Sequence, residues 1–84
     1  MANPTVPARS EHTHSPTYHL AARAARRAVR QWFAGIPTQS LAVWRDMARE
    51  RHCEGLPDPE HRGQAFDDAY AREIGLMMIA GGAA

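Results

Sequence analysis

The chain has 84 residues, a formal net charge of +1 and a single cysteine. This length allows one domain with a small core, and one cysteine excludes an intramolecular disulfide, as is typical of a reducing compartment. The charge is unevenly spread: residues 1–49 hold seven arginines and two acidic residues, and 50–84 hold three arginines and seven acidic residues. A strongly basic nucleic-acid binder usually lacks such an acidic half.

No stretch approaches the ~18–20 apolar residues that span a bilayer. The first residues also lack the basic and apolar regions of a signal peptide. We therefore expect a cytoplasmic protein without a membrane partner. Every basic residue other than histidine is arginine, in a chain rich in alanine, glycine and proline. This composition suits a GC-rich bacterial, phage or plasmid gene, so codon bias also accounts for part of the arginine content.

Residues 1–15 are predicted to form a disordered arm because they contain prolines and small polar residues and almost no large apolar ones. Ser15 and Pro16 then mark the start of a first helix, with serine as the N-cap and proline at the first helical position. The helix is predicted over 16–34. Gly35 is expected to supply a left-handed cap, and Pro37 prevents continuation.

This first helix is predicted to be amphipathic. At about 100° per residue, four arginines lie within roughly a third of its circumference. This arginine stripe consists of Arg23, Arg26, Arg27 and Arg30. Guanidinium groups form bidentate hydrogen bonds with carboxylates and with phosphates, so the stripe predicts contact with an acidic protein surface or with nucleic acid. A solvated face that is partly paired with the acidic third helix is the alternative.

The opposite side of the first helix is expected to form part of the core. It carries Tyr18, Ala21, Ala25, Ala28, Val29 and Trp32. A second helix is predicted over 39–53, with Thr38 as its N-cap and Gly55 after its end. Its apolar side is expected to be Leu41, Trp44, Met47 and Ala48.

A third helix is predicted over about 59–80, capped by Asp58, with residues 82–84 as a frayed tail. Gly63 and Gly75 each weaken it by roughly 1 kcal/mol relative to alanine. Its core side is expected to be Phe66, Ala69, Tyr70 and Met77. The last turns are apolar all round, which requires a covering surface. We therefore predict a partner-binding or self-association surface at Leu76, Met77, Met78 and Ile79.

No segment has the alternation of a strand. The predicted fold is all-α, with a single helical domain over 16–81. Short connections favour antiparallel neighbours, in a small three-helix bundle or a helical hairpin with a docked third helix.

No motif predicts catalysis: phosphate-binding loops, nucleophile elbows and metalloprotease signatures are absent from the sequence. The histidines at 12, 14 and 19 resemble a metal-ligand group, but scattered histidines in a flexible arm are commonly incidental. We expect no enzyme activity, no cofactor and no metal. The sequence does not favour a DNA-binding helix-turn-helix motif, because acidic residues at the start of the third helix would repel phosphates.

The sequence therefore predicts a small, non-enzymatic protein that binds another protein, as an inhibitor, adaptor or regulatory subunit of the kind that a phage or plasmid encodes. The predicted contacts are the arginine stripe and the apolar residues at 76–79, and self-association is a further expectation. The alternative is a nucleic-acid-binding regulator that contacts phosphates through the arginine stripe.

Overall fold

The computed structural model describes residues 15–83. It contains three helices, α1 (Pro16–Ala34), α2 (Leu41–Cys53) and α3 (Pro59–Ala83), and each helix packs against the other two. No strand occurs in this described part of the chain. The prediction of a small all-α, three-helix fold is confirmed. The predicted disordered arm, apart from Ser15, lies outside the described residues.

Helix α1 begins as its sequence predicts. Ser15 has extended φ and ψ of −74° and 151°, and its Oγ accepts a hydrogen bond of 3.0 Å from the Tyr18 N–H. The expected left-handed cap at Gly35 is wrong: its φ is −103° and its backbone is extended. The Gly35 N–H still donates to the Gln31 carbonyl at 3.2 Å. The chain thus leaves α1 in an extended direction that any residue can adopt.

Helix α2 begins at Leu41, two residues later than predicted, because Ser40 and not Thr38 is its N-cap. The Ser40 Oγ accepts from the Val43 N–H at 3.2 Å. The left-handed conformations lie instead in the α2–α3 connection, at Gly55 (φ 74°) and Asp58 (φ 55°).

Helix α3 starts at Pro59 as predicted and is helical to Ala83, three residues beyond the predicted end. Within the predicted frayed tail at 82–84, positions 82 and 83 are therefore helical, and position 84 lies outside the described residues.

The core lies between α1 and α3. Its buried residues are Tyr18, Ala21, Ala25, Ala28, Val29, Ala65, Phe66, Ala69 and Tyr70. Alanines dominate this set, so the two helices approach closely, and the rings of Phe66 and Tyr70 stack with centroids 5.8 Å apart. Ile74 and Met77 pack against the edge of this core. The predicted core faces of the first and third helices match the observed ones except at Trp32, which is partly buried and lies outside the core.

Helix α2 contributes no fully buried residue; part of its apolar side packs against the core, and hydrogen bonds attach it to α1 and α3. The Trp44 indole N–H donates to the Ala28 carbonyl at 2.9 Å, and the Tyr70 hydroxyl donates to the Leu41 carbonyl at 2.9 Å. The prediction that Met47 belongs to the core side is wrong, because its side chain is 44% exposed. α2 is short, and it packs through only part of its apolar stripe.

Two arginines of α2 join it to α3. Arg49 binds Asp67 of α3 at 2.7 Å and Asp46 at 3.3 Å, and Arg45 lies 2.9 Å from Asp46 and 3.8 Å from Asp67. Gly63 of α3 makes room for this network, since a Cβ there would lie 3.3 Å from the Arg49 Cδ. These arginines are therefore structural.

Candidate binding surfaces

The structure places the whole arginine stripe on the exposed side of α1, opposite its buried alanines. Arg26 is the one member of the stripe that is paired in the described part of the chain: its Nε lies 3.5 Å from the Glu73 Oε2. The Arg26 side chain is still 54% exposed, whereas that of Glu73 is 12% exposed. Within residues 15–83, Arg23, Arg27 and Arg30 form no ion pair. Intramolecular pairing therefore neutralises only part of the arginine stripe.

The arginine stripe borders an open depression with a volume of about 530 Å³. The lining residues are Arg23, Arg26, Arg27, Arg30, Gln31 and Ala34. Guanidinium groups present planar, forked donors to carboxylate or phosphate oxygens. The depression can therefore receive an anionic surface, but it is too open to enclose a small molecule.

Sequence reasoning missed Arg51 as a functional candidate. It is exposed on α2 and, among the described residues, forms no ion pair. Arg51 and Gln31 line one small notch where α2 crosses α1. The spacing of Val43, Met47 and Arg51, four residues apart, does predict one row on α2. Which helix that row would border depends on packing, which the spacing does not show.

The apolar surface predicted at 76–79 separates into two parts. Leu76, Met78 and Ile79 are 51%, 62% and 71% exposed, whereas Met77 packs against the core. We call the three exposed residues the C-terminal apolar patch.

The two tryptophans near the α1–α2 connection are partly buried and already hydrogen-bonded. The Trp32 indole N–H donates to the Gln39 carbonyl at 2.9 Å, as Trp44 does to Ala28. Phe33 meets the Trp32 ring edge-on at 5.1 Å and stays partly exposed. The tryptophans therefore secure the connection, and Phe33 is the aromatic ring available at the surface.

One histidine has an unusual environment. His52 lies against Phe66, with ring centroids 5.6 Å apart, and its Nε2 is buried without a hydrogen-bond partner. Burial lowers the pKa of His52, and the charge of Arg62 lowers it further. The imidazole is therefore held in its neutral form.

Among the described residues, no group of three or more His, Cys, Asp or Glu side chains could hold a metal ion. The histidines at 12 and 14 lie outside the described residues, so the structure does not place the predicted histidine group. None of the helices in the described range has the length and apolar character needed to cross a membrane.

Comparison of the chain with protein-family profiles, with curated proteins and with solved structures gives no match. The class that the fold and surfaces define is a small all-α protein with an arginine-rich face on its first helix. Any functional conclusion therefore rests on the surfaces described above.

Proposed function

We propose that this chain is a small, non-enzymatic, cytoplasmic binding protein that acts on another protein, as an inhibitor, adaptor or regulatory subunit. The observation that carries the proposal is the set of three exposed arginines on α1, Arg23, Arg27 and Arg30, which form no ion pair in the described part of the chain. When a partner covers these guanidinium groups, they lose their hydrogen bonds to water. Binding is then favourable only if carboxylates of the partner accept hydrogen bonds in place of that water.

The surroundings of the arginine stripe favour a protein over a nucleic acid. Leu20 and Phe33, which are 50% and 38% exposed, lie on α1 three residues before Arg23 and three residues after Arg30. Residues at this spacing are neighbours on a helix surface. Arginine and aromatic residues are both enriched in protein interfaces, whereas a phosphate backbone gains little from exposed apolar side chains.

Charge pairs alone would give weak binding. An exposed ion pair contributes about 0.2–1 kcal/mol, whereas micromolar affinity requires about 8 kcal/mol. The arginine stripe therefore contributes mainly orientation and association rate, and apolar contacts must supply most of the affinity.

We propose the C-terminal apolar patch as a second contact surface, used for self-association.

The test of the protein-binding proposal compares the wild type with Arg23→Glu/Arg27→Glu in nuclease-treated extract of the cells that encode it. Quantitative mass spectrometry should find a protein bound to the wild type and to the control Arg72→Glu but not to the double variant. Arg72 is exposed on α3, so the control reverses one positive charge outside α1. Equal recovery with the double variant would contradict the proposal.

The nucleic-acid alternative makes a separate forecast. Binding to duplex DNA at about 50 mM salt, with a steep loss as salt rises, would establish a phosphate contact. The same double variant should then lose it.

The self-association proposal is tested by sedimentation at increasing concentration, comparing the wild type with Met78→Glu. Met78 is the better position than Met77 for this test, because Met77 packs against the core and its substitution would perturb folding. We expect the wild type to form oligomers and the variant to remain monomeric. A wild type that is monomeric at high concentration would rule out this use of the patch.

A further inference from the structure

Helices α1 and α2 together form a narrow groove beside the arginine stripe. Its lining residues are Ala28, Gln31, Trp44, Met47, Ala48 and Arg51. Ala28, Trp44 and Ala48 are buried or partly buried and form its floor, whereas the other three are exposed and form its rims. Gln31 also lines the depression of the arginine stripe, so the groove and the depression are adjacent.

The floor of this groove consists of the apolar residues Ala28, Trp44 and Ala48. The Trp44 indole N–H already donates to the Ala28 carbonyl at 2.9 Å, so the floor offers no free indole donor. Met47 forms one wall, and an unbranched thioether adapts readily to a partner's shape. The notch has a volume of about 30 Å³, close to the share of one water molecule in the liquid. It therefore accepts only the end of an apolar side chain.

Positive charge lies on both sides of this apolar floor. On the α1 side are Arg27 and Arg30, and on the α2 side is Arg51; none of the three forms an ion pair with a described residue. Arg51 also lines a second depression, which contains Glu50 and Glu54. The α1 side of the groove is therefore basic, and its α2 side combines Arg51 with two nearby carboxylates.

We propose that this groove binds an acidic amphipathic segment of the partner protein. One apolar side chain of the segment would rest on Trp44 and Met47, and flanking carboxylates would meet Arg27 or Arg30 on one side and Arg51 on the other. An amphipathic segment in a groove between helices is a recurring mode of peptide recognition. This inference rests on the proposed function, because it specifies the chemistry of the partner at the same surface.

The experiment uses three fluorescently labelled synthetic peptides of equal length and the full chain. The first contains glutamates and two leucines four residues apart, the second replaces the leucines by alanines, and the third replaces the glutamates by lysines. Fluorescence anisotropy at low salt should show about tenfold tighter binding of the first peptide than of the second, because one leucine loses its contact with water. The third peptide should not bind.

Two variants locate the contact. Met47→Gln should reduce the preference for the leucine peptide to about twofold or less, since the apolar wall is lost. Arg51→Glu should weaken binding of both acidic peptides by about fivefold. Arg72→Glu, the matched control, should leave all affinities unchanged, and circular dichroism should show that each variant is folded.

Equal affinity for the leucine and alanine peptides would overturn the inference, as would failure of all three peptides to bind. If Arg27→Glu abolishes binding while Met47→Gln and Arg51→Glu have no effect, the proposed function stands and the groove does not. Tighter binding of a short DNA duplex than of the leucine peptide would count against both.

Discussion

The second half of α3 holds more large apolar residues than the first, yet it is the first half whose large apolar residues are buried. In the first half, Phe66 and Tyr70 are almost completely buried, between a helix rich in alanine and the partly buried side of α2. In the second half, Leu76, Met78 and Ile79 are at least half exposed. Hydrophobicity alone therefore does not decide burial in this chain; the presence of neighbouring helices does.

The largest test of this comparison removes one ring from the covered half. Phe66→Ala should lower the free energy of unfolding by about 3–5 kcal/mol, which is as much as a core of this size provides. Ile79→Ala, in the exposed half, should change it by no more than about 0.5 kcal/mol at a concentration where the chain is monomeric. Urea denaturation followed by circular dichroism measures both. Similar losses for the two variants would show that both halves are covered.

A smaller effect is expected from the hydrogen bond that attaches α2 to the covered half. Tyr70→Phe removes the donor to the Leu41 carbonyl and keeps the ring. The free energy of unfolding should fall by about 0.5–1.5 kcal/mol.

Burial also raises the pKa of the Tyr70 hydroxyl, so its absorbance should titrate at higher pH than that of free tyrosine. A normal titration would indicate that this hydroxyl is solvated.

Gly63 and Gly75, two of the glycines of α3, sharpen the comparison further. Gly75→Ala should raise the free energy of unfolding by up to about 1 kcal/mol, because alanine favours the helix and its Cβ meets nothing within 4 Å. Gly63→Ala should give less or none of this gain, since its Cβ would lie 3.3 Å from the Arg49 Cδ. An equal gain at both positions would mean that the Arg49 side chain moves aside freely.

His52 of α2 packs on Phe66 in the first half of α3. The free energy of unfolding should therefore depend on pH through this imidazole. Because burial lowers its folded pKa from the ordinary 6.5, the unfolded chain takes up the proton more readily as the pH falls. The free energy of unfolding should therefore decrease as the pH falls below about 6.5 toward the lowered folded value. His52→Leu should remove this part of the pH dependence, and an unchanged profile would place the slope elsewhere.

Much of the fold follows from local patterns in the sequence. Ser15 and Pro16 start α1 because the serine caps an N–H and the proline needs none. The spacing of Tyr18, Ala25 and Val29 predicts the buried side of α1. Such features depend on residues within one or two helical turns of one another, so the sequence alone is enough to identify them.

Long-range contacts account for the features that the sequence did not show. Arg27 and Arg49 look alike in a helical pattern, yet Arg27 forms no ion pair in the described part of the chain and Arg49 joins α2 to α3. Met47 fits an apolar stripe but stays exposed and becomes the wall of a groove whose other side belongs to α1.

In this protein, the sequence by itself determined the three helices and the sides that α1 and α3 bury, because helical periodicity is local. Only the tertiary structure decided which arginines remain unpaired and where the apolar residues of α3 lose their cover. Those outcomes depend on how the three helices pack, because packing brings residues that are far apart in the chain into contact.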